Sequence, residues 1–175
     1  MLEILRSRRS VRRFEDRQIE EEKLEVLKES LVRSPSSRSI NPREFIFVED
    51  RKVLEQLSRS KEHGAGFLSS AAVGVAVLGD TTKSDTCIED CSIAAITLQY
   101  AAEFLELGSC WCQVRLRAHS ADKTAEEYVR EILGIQDHYL VECVIGVGYP
   151  AQDKVPHAHE DLDWDKVRVY PSTKY

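Results

Sequence analysis

From Glu89 to Leu107 the chain carries a segment with apolar or small side chains on nearly every helical face: Ile93, Ala94, Ala95, Ile96, Leu98, Ala101, Ala102, Phe104 and Leu105. A helix of that composition must be buried from several directions. In a chain of 175 residues, a second copy of the same chain is a natural cover for one of them, because alanines let two backbones approach closely. Glu89, Asp90, Gln99, Glu103 and Glu106 interrupt the run, so it reads as a buried helix and not as a membrane span. Gly108 stands where such a helix ends.

The remaining elements fall around this helix. Leu2, Ile4 and Leu5 suggest a short helix that runs into Ser7-Arg8-Arg9-Ser10-Val11-Arg12-Arg13-Phe14. Leu24, Leu27 and Leu31 recur at helical spacing between Glu20 and Arg33, and the helix stops at Ser34-Pro35 because proline disfavours helical geometry in the residue before it. Pro35 to Pro42 is an irregular loop rich in hydroxyls and amides. Phe45 to Val48 and Val73 to Leu78 read as buried strands, separated by a helix that Asp50 caps and by a bend at His63 to Gly66. Cys110 to Leu116 and Tyr139 to Val147 read as two more strands. Thr124 and Glu127 form a capping box for the intervening helix, which Gly134 closes. The expectation is one α+β domain over residues 1–175. Its last part, 151–175, is a charged, extended arm in which Val167 to Tyr170 alternate like a strand with no partner in their own chain.

Four arginines surround the hydroxyl of Ser10, in a chain with 24 basic against 30 acidic side chains and a net charge of −6. The overall charge argues against a nucleic-acid partner. Guanidinium forks match phosphate oxygens two at a time, so a compact phosphate suits the cluster, and a solvated basic turn is the plain alternative. The five cysteines, Cys87, Cys91, Cys110, Cys112 and Cys143, lack the spacing of a disulfide framework. Buried reduced thiols explain them better than a zinc site made of two converging pairs. His157 and His159 have metal-like composition but imply no third ligand, so no metal is expected. Ser120, His119 and Asp122 lack a nucleophile elbow, and Gly146-Val147-Gly148 leads to Tyr149-Pro150 with no helix to hold a pyrophosphate. Met1-Leu2-Glu3-Ile4-Leu5 lacks the basic start and long apolar run of a secretory leader, which gives a cytoplasmic expectation.

Four segments, in order, carry a resemblance. Ser7 to Phe14 is similar to the phosphate-binding opening of the nitroreductase family, whose members use flavin mononucleotide (FMN). Ser34-Pro35-Ser36-Ser37-Arg38-Ser39-Ile40-Asn41-Pro42-Arg43-Glu44-Phe45 resembles that family's Pro-Ser-Ser-x-Asn-x-Gln-Pro-Trp-x-Phe segment. Asp90 to Trp111 resembles its central helix and following strand, and Ile145 to Pro150 its Ile-Gly-Tyr-Pro strand end.

The resemblance implies a nitroreductase-like α+β fold, with a mixed or antiparallel four-stranded sheet flanked by helices. It also implies a homodimer in which a C-terminal strand is exchanged and FMN lies at the interface. Arg8, Arg9 and Ser10 would hold the phosphate and Arg12 the ribityl chain or pyrimidine edge. Pro35, Ser36, Ser37, Ser39 and Asn41 would meet the flavin from the partner subunit, and the backbone of Trp111, Cys112, Gln113 and Val114 would pass along the isoalloxazine. Ser39, Asn41 and Arg43 stand where the family usually has asparagine, glutamine and tryptophan, and Lys154 alone represents its C-terminal basic pair. The implied reaction is ping-pong hydride transfer from NADH or NADPH through FMN to a nitroaromatic, quinone or similar small acceptor, with no catalytic side chain. A flavin store or sensor, a reductive dehalogenase, and a basic turn that docks onto a phosphorylated or nucleic-acid partner are the alternatives.

Overall fold

The computed structural model describes residues 1–170. At its centre lies a four-stranded sheet in the order β1-β2-β4-β3, made of β1 (Arg43–Val48), β2 (Val73–Asp80), β3 (Gly108–Gln113) and β4 (Tyr139–Gly148). Every neighbouring pair is antiparallel, which resolves the mixed-or-antiparallel expectation. All of β2 is buried, and so is β4 from Val141 onward. Their near-continuous apolar runs follow from cover on both faces of the sheet.

Successive side chains of these strands point to opposite faces, so the sheet divides two cores. On one face Val73, Val75, Val77, Cys143, Ile145 and Val147 meet Leu24, Leu27 and Leu31 of α2 (Glu21–Arg33). The same strand residues meet Cys91, Ala94, Ala95, Leu98 and Ala102 of α4 (Cys87–Phe104). On the other face Ala76, Leu78, Val144 and Cys112 meet Leu54 and Leu57 of α3 (Arg51–Leu57), Phe67 and Leu68 of a 3-10 turn, and Ala125 and Val129 of α5 (Ala125–Leu133). The short α1 (Leu2–Ser7) buries none of its residues.

The expected caps are present. Asp50 accepts from the Lys52 and Val53 N–H groups, Thr124 and Glu127 form the reciprocal box, and Gly134 takes the left-handed conformation with φ 65°. One expectation is corrected. Helix α4 ends at Phe104, and the left-handed residue past it is Glu106 (φ 61°), while Gly108 is the first residue of β3. The Leu107 N–H bonds back to the Ala102 carbonyl at 2.8 Å, closing the helix one turn before the glycine. Val167 to Tyr170, expected to find no partner in their own chain, pair with none of its strands among the described residues. A 3-10 turn at Trp164–Lys166 leads into them, and Val167, Val169 and Tyr170 are 69%, 75% and 97% exposed. Alternation makes a strand only where a sheet edge receives it. The last five positions of the 151–175 arm lie outside the described residues.

All five cysteines are free and buried. Cys110 and Cys112 belong to one core and Cys91, the α4 neighbour of Cys87, to the other, so the sheet separates the pair Cys110 and Cys112 from the pair Cys87 and Cys91 that a zinc site would need to bring together. Helix α4 packs against the sheet and also against α2 and α1. Ile93 and Phe104 nevertheless remain 39% and 71% exposed, two large apolar side chains left open in one copy.

Candidate functional site

The basic segment is pinned across one end of the sheet. Ser10 bridges to Ser109 in parallel, the Val11 N–H donates to the Ser109 carbonyl at 3.0 Å, and Phe14 bridges to Pro150. Val11 and Phe14 turn inward, Arg12 and Arg13 are exposed, and Arg8, Arg9 and Ser10 are half-buried. Two glycines make the fit possible. A Cβ on Gly108 would lie 2.9 Å from the Val11 side chain, and one on Gly148 would lie 3.1 Å from the Phe14 ring. The close approach therefore needs bare backbone on the sheet.

Arg17, Arg33, Arg38, Arg51 and Arg59 each hold a carboxylate. Among the described residues, Arg8, Arg9, Arg12 and Arg13 take part in no ion pair within 4.0 Å. Arg9 instead donates to the Val155 carbonyl of the C-terminal arm. Arg9 and Lys154 line one cleft of about 290 Å³ with Ser7 and Gln152, and Glu103, Glu106 and Asp153 share it. Gln152 was not singled out from the sequence. Its buried Nε2 has no acceptor, a donor whose desolvation an anionic oxygen would offset. Arginines that no carboxylate approaches within 4.0 Å, beside an orphaned donor, fit a phosphate group even though the cleft also carries three acidic side chains.

The hydroxyl loop is a second built structure. The Asn41 N–H donates to Ser36 Oγ at 3.0 Å, and the Asn41 amide donates to the Ser39 carbonyl at 3.1 Å. The Ser37 N–H donates to Asp90 Oδ1 of α4 at 2.8 Å. Arg43 reaches back from the start of β1, with Nη1 donating to Ser34 Oγ and the Pro35 carbonyl, and Nη2 to the Ser34 carbonyl and Asn41 Oδ1. Arg38, Ser39 and Asn41 all take positive φ, at 51°, 56° and 51°. Each such residue costs on the order of 1 kcal/mol, so the loop holds a conformation it would not choose alone. Burial lowers the pKa of Arg43 and the nearby Asp90 carboxylate opposes that effect. Asp90 looks in the sequence like a charge interrupting an apolar helix, and its place beneath the loop is a tertiary fact with no local signature.

The third predicted group lies on β3. This strand pairs with β4 alone, so beyond the Ser10 bridge its outer main-chain edge has no strand partner among the described residues. Cys112 and Val114 are fully buried, so their side chains are out of a ligand's reach, and the Val114 N–H is already donated to the Glu142 carbonyl at 3.3 Å. The Trp111 indole donates to Gln113 Oε1 at 2.8 Å, and the Gln113 amide donates to the Arg115 and Glu142 carbonyls. Burial pushes the Cys91 thiol up to about 12 and raises Cys110, Cys112 and Cys143, so none is poised as a thiolate nucleophile.

Within one chain these groups do not meet. The basic segment bridges to Ser109 and Pro150, while the loop leads into Arg43, which faces Gly79 at the other end of the sheet. Strand rise and spacing put the two roughly 25 Å apart. The basic segment and the loop can share one flavin only if they come from different copies. Each half on its own fits the cofactor: free cations and an orphaned donor for the phosphate, a shaped loop and an open strand edge for the ring.

The remaining candidates are structural. His119 stacks on Tyr128 at 3.9 Å with its Nδ1 against the Arg59 carbonyl. Among the described residues no group of three or more His, Cys, Asp or Glu could hold a metal ion, and no helix is long and apolar enough to cross a membrane.

Comparison with known proteins bears on the whole chain. The family model described as "Nitroreductase family" matches residues 5–62 and 53–149. A solved FMN-dependent nitroreductase from Clostridium difficile R20291 is 38% identical, covers 97% of this chain and 99% of its own, and superposes with a TM-score of 0.95. A structure from Parabacteroides distasonis, provisionally named NADH dehydrogenase/NAD(P)H nitroreductase, is 35% identical with a TM-score of 0.87 over 97% of this chain and 96% of its own. A protein of Archaeoglobus fulgidus with the same provisional name is 32% identical over 87% of both chains.

Proposed function

The chain belongs to the nitroreductase family and is an oxidoreductase, and from that premise we propose that a homodimer of it holds FMN at its seam. Its reaction is hydride transfer from NADH or NADPH to a nitroaromatic, a quinone or a similar small acceptor, by a ping-pong sequence. When bound, the isoalloxazine supplies both the hydride acceptor and the hydride donor, so no side chain has to act as acid, base or nucleophile. The protein's own residues bind, orient and set the charge around it.

Arg8, Arg9 and Ser10 grip the phosphate, with Lys154 and Gln152 from the cleft that Arg9 lines, while Arg8 opens onto the neighbouring cavity of α1 and the C-terminal arm. Arg12, exposed beside them, reaches the ribityl chain or the pyrimidine edge. A fixed cation there stabilises the negative charge that reduction brings, which favours the reduced state. The outer edge of β3 between Trp111 and Gln113 offers main-chain N–H groups, and Val114, whose own N–H is spent on the Glu142 carbonyl, follows at the strand's end. The loop carrying Pro35, Ser36, Ser37, Ser39 and Asn41 closes the site from the partner subunit. Asn41 contributes by closing its own loop, since its amide is spent on Ser39 and Arg43. The arm that begins at residue 151 extends, over its described part to Tyr170, from the single domain toward the partner, and the dimer works in the cytoplasm.

One observation carries this reading. The segment with free arginines and the shaped hydroxyl loop are both fully built, yet lie at opposite ends of one sheet. The test is a spectrum and a rate. Purified protein supplied with FMN should retain the flavin absorbance through gel filtration and should oxidise NAD(P)H when a nitro compound or quinone is added. Double-reciprocal plots at several acceptor concentrations should be parallel. Protein that stays colourless defeats the flavin reading, flavin that NAD(P)H does not reduce points to a store or sensor, and intersecting plots remove the ping-pong sequence.

A further inference from the structure

We propose that Arg43 and Asp90 are positioning residues for the flavin, acting together through the backbone of the loop from Ser34 to Asn41. The inference rests on the reading that this loop meets the cofactor. Neither residue belongs to the loop, and each comes from a rigid element, Arg43 from the first position of β1 and Asp90 from the first turn of α4. Arg43 ties the two ends of the loop together. Its Nη1 holds Ser34 Oγ at 2.6 Å and the Pro35 carbonyl at 2.9 Å, while its Nη2 holds the Ser34 carbonyl and Asn41 Oδ1, both at 2.9 Å. Asp90 fixes the middle by accepting from the Ser37 N–H at 2.8 Å.

Three anchor points are what a strained loop needs. Between them Arg38, Ser39 and Asn41 are all left-handed without being glycine, and such geometry persists only where the surroundings over-determine it. Asp90 is 2% exposed. A carboxylate buried that deeply needs hydrogen bonds and opposite charge: Oδ1 takes the Ser37 N–H, Oδ2 is left without a partner, and the Arg43 cation and the start of α4 nearby offset part of the remaining cost. Pro35 and Ser39 remain exposed on the loop. The clamp therefore works from behind and leaves the outer face free for the cofactor, as supporting residues do in preorganised sites.

What matters in this arrangement is hydrogen-bond geometry, and that sets it apart from a simple balance of charges. Asn at position 90 still offers an oxygen to the Ser37 N–H, whereas Ala does not. Lys at position 43 keeps the charge, but one amine cannot serve acceptors on both ends of the loop. The experiment uses the full-length chain loaded with FMN and reads three quantities: FMN dissociation constant, midpoint potential of the bound FMN, and melting temperature of the flavin-free protein.

The expected result is that Asp90→Ala, Arg43→Ala and Arg43→Lys each weaken FMN binding about tenfold and shift the potential, while Asp90→Asn stays within about twofold of the parent. Flavin-free melting should stay close to the parent in Asp90→Asn and Arg43→Lys. Rescue by Arg43→Lys with failure of Asp90→Asn would overturn the clamp in favour of a charge effect. Unchanged affinity and potential in all variants would overturn it outright. So would affinity losses that merely track flavin-free melting or loss of the dimer. A parent chain that takes up no FMN sinks the flavin reading itself, whereas a flavin-loaded parent with indifferent variants sinks only the clamp.

Discussion

At Gly108 and Gly148 the absence of a methyl group decides where the basic segment lies. Val11 and Phe14 sit where a Cβ would stand, so alanine must push the segment off the end of the sheet or strain the core. Gly108→Ala should cost about 1–3 kcal/mol of stability, in the range of other overpacked sites. It should also weaken FMN binding, because Arg8 and Arg9 move with Val11. Gly134→Ala supplies the comparison. Its left-handed φ makes the substitution cost about 1 kcal/mol as well, but no neighbour within 4 Å feels it, so flavin titration should match the parent. Equal effects of the two on binding would mean that the docking of Val11 is irrelevant to the site. Asp80 at the end of β2 gives a pH-dependent counterpart. Hydrogen bonds from Lys83 and Thr82 hold its pKa down to about 2. A carboxyl depressed in the folded state adds stability above its unfolded pKa of about 4 and loses it as pH falls toward 2. Chemical denaturation between pH 5 and 2 should therefore show a shallower acid loss in Asp80→Asn than in the parent.

Helix α5 shows how an element can be set by its ends. The Thr124 hydroxyl accepts from the Glu127 N–H while the Glu127 carboxylate accepts from the Thr124 N–H. Thr124→Ala should cost about 1 kcal/mol and lower the melting midpoint by about 2–4 °C, with FMN affinity unchanged since the two cap residues make no hydrogen bond to the basic segment or the loop. This helix was legible in the sequence because its signals are local: a cap, a box, a closing glycine. The four strands and the amphipathic α2 were legible for the same reason, as runs whose period matches their burial. The end of α4 was not. Gly108 looks like a stop signal, yet the helix closes on Glu106, and the glycine serves Val11 from another part of the chain. Val167 to Tyr170 have strand periodicity but no edge in their own chain to receive them. The site divides along the same line. Arg8, Arg9 and Ser10 are read from neighbours in sequence, and the hydroxyl loop from its composition. Gln152 and Asp90 gain their meaning from residues more than fifty positions away, which no local pattern encodes.

The whole molecule follows from the distance between the two halves. If the basic segment and the loop lie about 25 Å apart in one chain, a complete flavin site combines one half from each copy, and defects in different halves must complement. Arg9→Ala removes a phosphate cation. Ser39→Asp sets a negative charge on the exposed tip of the loop, against a ring that becomes anionic on reduction. Either homodimer then carries two damaged sites. A heterodimer of the two variants has one site with both defects and one with neither. Co-expressed chains bearing different affinity tags, purified through both, should bind about one FMN per dimer with parental affinity and recover about half the parental rate of NAD(P)H oxidation. Single-chain sites predict no recovery at all, because each chain would keep its own defect whatever its partner. The same bareness that exposes Phe104 and Ile93 on α4 is what a partner would cover. The tagged heterodimer should therefore resist dissociation on dilution, and loss of flavin on dilution should coincide with its separation into chains.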